Sequence, residues 1–242
     1  MNKIGAIVEA RMGSSRLPGK ILKEANGKVI LSLLIERISK VKEINTVIVA
    51  TTINQKDDVL VEFCKNNGIN YFRGSEDDVM GRVLGAASHY HIDTIVEITG
   101  DCPLIDYNII SQVLNSYIHN KFDYVSNANI RSYPDGMDVQ VFSKNILSDS
   151  YLKATTSIEK EHVTLHIRKS DFYSKMDLIA PTNQFYPDLG LTLDEESDYI
   201  LIKKIFESFD SNDFTLDQIL KLLKSDSTLK EINAHVIRKG DS

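Results

Sequence analysis

Residues 4–20 read IGAIVEARMGSSRLPGK. A short apolar run, 4–8, passes directly into a loop of glycine, serine and basic side chains. The run suits a strand buried on both faces, and the loop sits where open α/β sheets present their ligands, at the carboxyl end of a strand. The alternation continues outward. Residues 29–40 set Ile30, Leu31, Leu34, Ile35 and Ile38 on one helical face. Residues 46–50, TVIVA, are a second strand, and 57–66 a helix with Val59, Leu60 and Phe63 inward, ended by Asn67-Gly68. Tyr71-Phe72 is a third strand, 78–91 a helix, 94–98 a fourth strand entering Thr99-Gly100-Asp101, and 107–120 a helix. Such β-α repetition with short connections predicts an α/β fold: a mostly parallel sheet flanked by helices on both faces. The turns after Val8, Ala50, Phe72 and Ile98 are then the places to look for a site.

The second half is less regular. Strands are expected at 124–126, 138–142 and 191–193. Helices are expected at 144–153, 161–169, 195–209 and 215–224, the last capped by Asp213 or Thr215. No linker, repeat or low-complexity stretch divides the chain, so residues 1–242 are expected to form one domain with a smaller C-terminal subregion and a loose end at 239–242. At 242 residues and 42% hydrophobic, the chain can bury a substantial core. A net charge of −6 argues against coating nucleic acid by bulk charge. Cys64 and Cys102 are too few for a disulfide scaffold or a four-cysteine zinc site. The opening MNKIGAIVEARMG is not a secretory leader, and no apolar run approaches the roughly 20 residues that span a bilayer. The expectation is a cytoplasmic protein with neither nucleic acid nor membrane as partner.

An acidic chain that binds phosphate must concentrate its positive charge, and residues 9–28, EARMGSSRLPGKILKEANGK, do so. Arg11, Arg16, Lys20, Lys23 and Lys28 stand there against Glu9 and Glu24 alone. Gly13, Ser14, Ser15 and Gly19 allow a compact backbone whose N–H groups can form an anion nest, and Arg and Lys add charge-assisted contacts to phosphate. The loop is not a P-loop, because five residues separate Gly13 from Gly19 and Ile21 follows Lys20. The G-x-G-x-x-G dinucleotide pattern is also absent.

The string Ala10-Arg11-Met12-Gly13-Ser14-Ser15-Arg16-Leu17-Pro18-Gly19-Lys20 resembles the signature of sugar-nucleotide cytidylyltransferases. It is most similar to the SpsF type of spore-coat and surface-polysaccharide biosynthesis, and CMP-sialic acid and CMP-Kdo synthetases share a similar loop. The resemblance, which runs from Lys3 to about Asp198, implies a Rossmann-like, GT-A-like nucleotidyltransferase fold. It also implies a nucleotide-binding half over 1–120, an acceptor site and closing helices over 121–242, and a homodimer. In it Ala10, Gly13, Ser14, Ser15 and Arg16 would cradle the triphosphate, with Arg11 and Lys20 on phosphate oxygens.

Later segments extend the likeness. Ala50-Thr51-Thr52 is similar to the segment beside the base, so Thr51 and Thr52 join the nucleotide site. Arg73-Gly74-Ser75-Glu76-Asp77-Asp78-Val79 with Arg82 resembles the segment around the nucleoside, contributing Gly74, Ser75 and Arg82. Ser75 or Asp77 is equally a plain helix N-cap, and Arg82 equally a salt-bridging side chain on a solvated helix face. Gly100-Asp101-Cys102-Pro103-Leu104 resembles the segment whose Asp binds magnesium. That assigns Asp101 to metal and Gly100 to nucleotide, with Asp106 as a helix cap and Cys102 as a buried thiol. Tyr133-Pro134-Asp135-Gly136-Met137-Asp138 and Glu159-Lys160-Glu161-His162-Val163-Thr164 resemble segments beside the second substrate. They give Tyr133, Asp135, Gly136, Asp138, Glu161 and His162 as acceptor contacts. Asp135 stands where many relatives are basic, and His162 and His166 are spaced to share one helical face. Thr192-Leu193-Asp194 resembles the segment of a second magnesium ligand, Asp194, although 194–198 also reads as an acidic helix start.

The expected activity is therefore transfer of CMP from CTP to a sugar, sugar acid or related precursor for surface glycans. Pyrophosphate leaves, with Mg²⁺ on Asp101 and Asp194 and with Arg11, Lys20 and Asp101 as the catalytic groups. The alternatives are a GT-A-type glycosyltransferase, which would usually need an Asp-x-Asp absent after the fourth strand, and a non-catalytic nucleotide-binding module.

Overall fold

The computed structural model describes residues 2–238; the tail 239–242, expected to be loose, lies outside them. The strands are β1 (Ile4–Glu9), a small antiparallel hairpin of β2 (Glu24–Ala25) and β3 (Lys28–Val29), β4 (Thr46–Thr52), β5 (Asn70–Gly74), β6 (Thr94–Thr99), β7 (Tyr124–Ser126), β8 (Gln140–Ser143) and β9 (Lys175–Asp177). Seven of them make one sheet in the order β5-β4-β1-β6-β8-β7-β9. β5, β4, β1 and β6 run parallel, and β8 lies antiparallel between β6 and β7.

Side chains alternate across the strands, and both faces are covered, which is why these strands read as unbroken apolar runs. Ala6, Val8, Val96 and Ile98 face one core, shared with helices Ile30–Ile38, Asp58–Asn66, Tyr107–His119, Glu196–Glu207 and Leu216–Ser225. Ile7, Ile48, Ile95 and Phe142 face the other, shared with helices Val79–His89, Lys144–Lys153 and Leu165–Lys169.

Four expectations are corrected. Helix 161–169 is two short helices, Ser157–Glu161 and Leu165–Lys169, broken at residues 162–164. The first opens on a capping box between Thr156 and Glu159 and ends at His162, whose backbone is extended at φ −102° and ψ 92°. His162 and His166 therefore do not share a helix face. Residues 191–193 form no ladder: a lone bridge joins Asp135 to Gly190, and the Leu193 N–H turns to the Asp101 carbonyl at 2.8 Å. Strand β9 was not anticipated, its three residues being too few to show a period. Val59 points outward, at 48% exposed, while Leu60, Val61 and Cys64 carry the buried face.

Candidate active site

The carboxyl ends of β1, β4, β5 and β6 converge on the 10–20 loop. Its path is set by Gly19, in the left-handed region at φ 70°, by Gly19 N–H to Met12 O at 3.1 Å, and by Leu17 N–H to Ser14 Oγ at 3.3 Å. Ala10 is buried and donates to Ala50 O at 3.2 Å, while Gly13 and Ser15 are exposed at the rim. Gly100 is required by close approach. Its N–H meets Glu9 O at 2.8 Å, and a Cβ would stand 2.6 Å from that same carbonyl.

Asp101 and Asp194 lie 93 residues apart in sequence and meet at one atom. Lys20 Nζ is 3.3 Å from Asp101 Oδ2 and 3.0 Å from Asp194 Oδ1, and Arg16 adds a second cation to Asp194 at 3.0 Å. The bond from Leu193 N–H to Asp101 O fixes the two segments together. Burial pulls the Lys20 ammonium down, but Asp101 and Asp194 outweigh it and hold it above its ordinary value. The positive charge of 11–28 is matched throughout: Arg11 pairs with Glu76 at 3.0 Å, Lys23 with Glu196 at 3.2 Å and Lys28 with Glu36 at 2.7 Å.

Around the neighbouring turn the assignments shift. The cap of helix Val79–His89 is Asp78, whose Oδ1 accepts from Gly81 N at 2.8 Å, and not Ser75 or Asp77; Ser75 Oγ accepts from Asp78 N. Arg82 is 4% exposed, not on a solvated face. It donates to the carbonyls of Ser75 and Glu76 at 2.5 and 3.4 Å, and its β and γ carbons crowd Gly74, where no side chain would fit. Burial lowers its pKa against the pull of Glu9. Thr51 and Thr52 are fully buried. The Thr52 hydroxyl is spent on Asp57 Oδ2 in a short contact, and Thr51 Oγ1 has no partner among the described residues.

The six acceptor candidates divide. Asp138, Glu161 and His162 line a cavity of about 180 Å³ that reaches Thr99 at the end of β6 and is completed by Glu9, Glu97, Gln140, Arg131 and Arg168 among others. Tyr133, Asp135 and Gly136 are not in its wall. Tyr133 is 3% exposed within the core, Asp135 is taken up by Arg131 at 3.0 Å and Thr192 at 3.4 Å, and Gly136, at φ 100°, packs on the Leu191 backbone. Asp106 does cap its helix, accepting from Asn108 N at 2.8 Å. Cys102 is buried, and burial followed by Asp101 pushes its thiol well up, away from nucleophilic use.

Sequence reasoning missed two features. Asp57, 2% exposed, accepts from Met12 N at 2.7 Å and from Thr52 N at 3.2 Å, fastening the loop to the end of β4. Its place at a helix start concealed that role. Glu9 and Glu97 form the cavity floor. The signal was present: each is a carboxylate inside an otherwise apolar strand.

Together the sheet order and the strand-end loop define a nucleotidyltransferase fold. A CMP:2-keto-3-deoxy-manno-octonic acid synthetase solved in complex with CTP has the same fold, with TM-score 0.63 and 16% identity over 85% of this chain and 99% of that one. The cytidylyltransferase family model matches residues 5–233, and the chain belongs to that family. Among relatives, the spore coat polysaccharide biosynthesis protein SpsF of Bacillus subtilis is 31% identical over 92% of this chain and 95% of its own. The uncharacterized protein MJ1063 of Methanocaldococcus jannaschii is 36% identical over 98% and 97%. A solved cytidylyltransferase from Leptospira borgpetersenii superposes with TM-score 0.91 at 30% identity, over 99% of this chain and 100% of that one. Among the described residues, no helix is long and apolar enough to cross a membrane.

Proposed function

We propose that this protein transfers CMP from CTP to a sugar-like acceptor, releasing pyrophosphate, in the making of surface glycans. The observation that carries the reading is the convergence of Lys20, Arg16, Asp101 and Asp194 at the strand ends beside the glycine-rich loop. A triphosphate brought into this cleft meets Lys20 and Arg16 from one side and Arg11 from the Glu76 turn. These cations disperse charge on the phosphates and on the departing pyrophosphate. The acceptor occupies the cavity that ends at Thr99, so its oxygen approaches the α-phosphate from the side of Asp101.

Asp101 and Asp194 fit Mg²⁺. They are hard oxygen donors that already face one cation, the Lys20 ammonium. Among the described residues no group of three or more His, Cys, Asp or Glu is gathered, so the ion would complete its shell with phosphate and water, as Mg²⁺ does. When bound it would supply charge neutralisation at the transferred phosphoryl group.

The test is pyrophosphate release, with each of CTP, UTP, GTP and ATP against a panel of sugars, sugar acids and sugar phosphates. CTP alone should support turnover. Lys20→Ala should reduce it at least about a hundredfold while the melting transition persists, a loss typical of an electrostatic group aimed at developing charge. Preference for another base overturns the cytidylyl assignment, and full turnover by Lys20→Ala overturns the site.

A further inference from the structure

The floor of the acceptor cavity breaks the pattern of the sheet. Ile7 of β1 stands opposite Glu97 of β6, and Glu9 opposite Thr99. Alternation thus places Glu9 and Glu97 on the face that buries Ile7 and Ile95 one step earlier. Two carboxyls occupy sheet positions where apolar side chains would stabilise the fold. Glu97 is 4% exposed. It takes the Gln140 amide in a short contact and shares a hydrogen bond with Glu9. Gln140 Oε1 accepts from Tyr124 OH at 2.5 Å and from Thr164 Oγ1 at 2.6 Å, which leaves its NH₂ for Glu97. Glu9 Oε1 is buried with no donor among the described residues. Burial raises both carboxyls, Glu97 well above its ordinary value with Glu9 as the next cause, so one proton shared between them is the favoured state. Such a pair holds one negative charge and an unmatched acceptor atom in a cavity wide enough for part of a sugar.

Resting on the transfer reading, we propose that Glu9 and Glu97 are the specificity element of the acceptor pocket. The pair accepts a hydrogen bond from a hydroxyl or amino group of the acceptor and turns away acceptors that present a carboxylate or phosphate there. A donor group satisfies Glu9 Oε1, which otherwise stays unmatched. An anionic group would face the remaining charge of the pair and lose on both counts. Of the cations around the pair, Arg131 is engaged by Asp135 and Asp138 at 3.0 and 3.4 Å, Arg82 beside Glu9 donates to the carbonyls of Ser75 and Glu76, and Arg168 in the cavity wall is already drawn to the charge of Glu97.

The experiment compares matched acceptors that differ at one carbon as hydroxyl, amine or carboxylate: glucose, 6-amino-6-deoxyglucose and glucuronate, and further sugars substituted in the same way. The wild type should favour hydroxyl or amine over carboxylate by about tenfold or more in kcat/KM, and the amine and hydroxyl arms separate the two donors. Glu9→Gln and Glu97→Gln should lose that preference chiefly through KM, with the CTP-induced thermal shift retained. Preferences and KM unchanged in both variants overturn this inference and leave the transfer reading standing. No pyrophosphate from any nucleotide and acceptor overturns the transfer reading and this inference with it. Should the variants fold poorly, infrared spectroscopy of the wild type at neutral pH decides. A protonated-carboxyl band supports the pair, and its absence overturns it.

Discussion

The 10–20 loop owes its shape to single side chains outside it. Asp57 is the clearest case. One buried carboxylate accepts from Met12 N, from Thr52 N and from the Thr52 hydroxyl, so the backbone expected to cradle phosphate is fastened to the neighbouring strand end before any ligand arrives. Preorganisation of this kind lowers the ordering cost that binding would otherwise carry. Asp57→Asn keeps the size but halves the acceptor capacity and removes the charge. It should cost about 1.5–3 kcal/mol, the range for hydrogen bonds to a charged group, divided between a lower urea midpoint and weaker CTP binding. Calorimetry against CTP checks the second share; affinity equal to wild type would mean that Asp57 serves stability alone. Gly100 acts at the same scale by what it lacks, since the space for its Cβ is already filled by the Glu9 carbonyl at 2.6 Å.

Elements in the first half were legible because each carries a full period of apolar residues and ends in its own turn chemistry. The TVIVA strand and the helix Ile30–Ile38 are decided by burial alone, and Asp101 with Asp194 could be paired through family likeness. The 157–169 region was not legible. Its helix spacing is real, but the helix begun by the Thr156–Glu159 capping box stops at His162, whose backbone is extended, and this brings Glu161 and His162 to the cavity. Residues 191–193 misled for the opposite reason: Leu191 and Leu193 are fully buried like strand residues, yet their backbone bonds go to loops. The capping element has a pH signature. Glu159 is held at about 2, first by the His166 hydrogen bond at 2.8 Å and then by the Thr156 N–H and hydroxyl. A carboxyl depressed from its ordinary 4.5 contributes stability that is complete above 4.5 and lost as pH falls toward 2. Wild type should therefore lose stability across that window more steeply than Glu159→Gln, as read from urea midpoints at successive pH values. Parallel profiles would remove Glu159 from the acid response.

Across the whole molecule, a net charge of −6 says less than where the cations are placed. Arg37 is a cation fully removed from water, in the helix Ile30–Ile38. Its guanidinium donates to Ile105 O at 2.7 Å, to Asn212 O and Oδ1 at 3.3 and 3.1 Å, and to Phe214 O at 2.9 Å, and it stacks on the Phe214 ring at 4.4 Å. Burial lowers its pKa to about 10, which still leaves it charged at neutral pH. One side chain thus joins the first helix, the turn that carries Asp101 and the segment leading into helix Leu216–Ser225. That same turn is tied to helix Leu216–Ser225 from the other side, where Asp106 Oδ2 accepts from Leu216 N at 2.5 Å. The planar fork is what makes this possible, since an ammonium cannot reach three carbonyls in different directions and stack on a ring at once. Arg37→Lys would keep the charge in a dry site and strand at least two carbonyls, each costing about 1–3 kcal/mol when unmatched. The expected loss is about 3 kcal/mol or more in urea unfolding. Amide exchange should rise in the 105–110 and 212–220 segments together, because both hang on the same group. Exchange confined to one of them, or a stability equal to wild type, would show that the two halves of the chain are joined elsewhere.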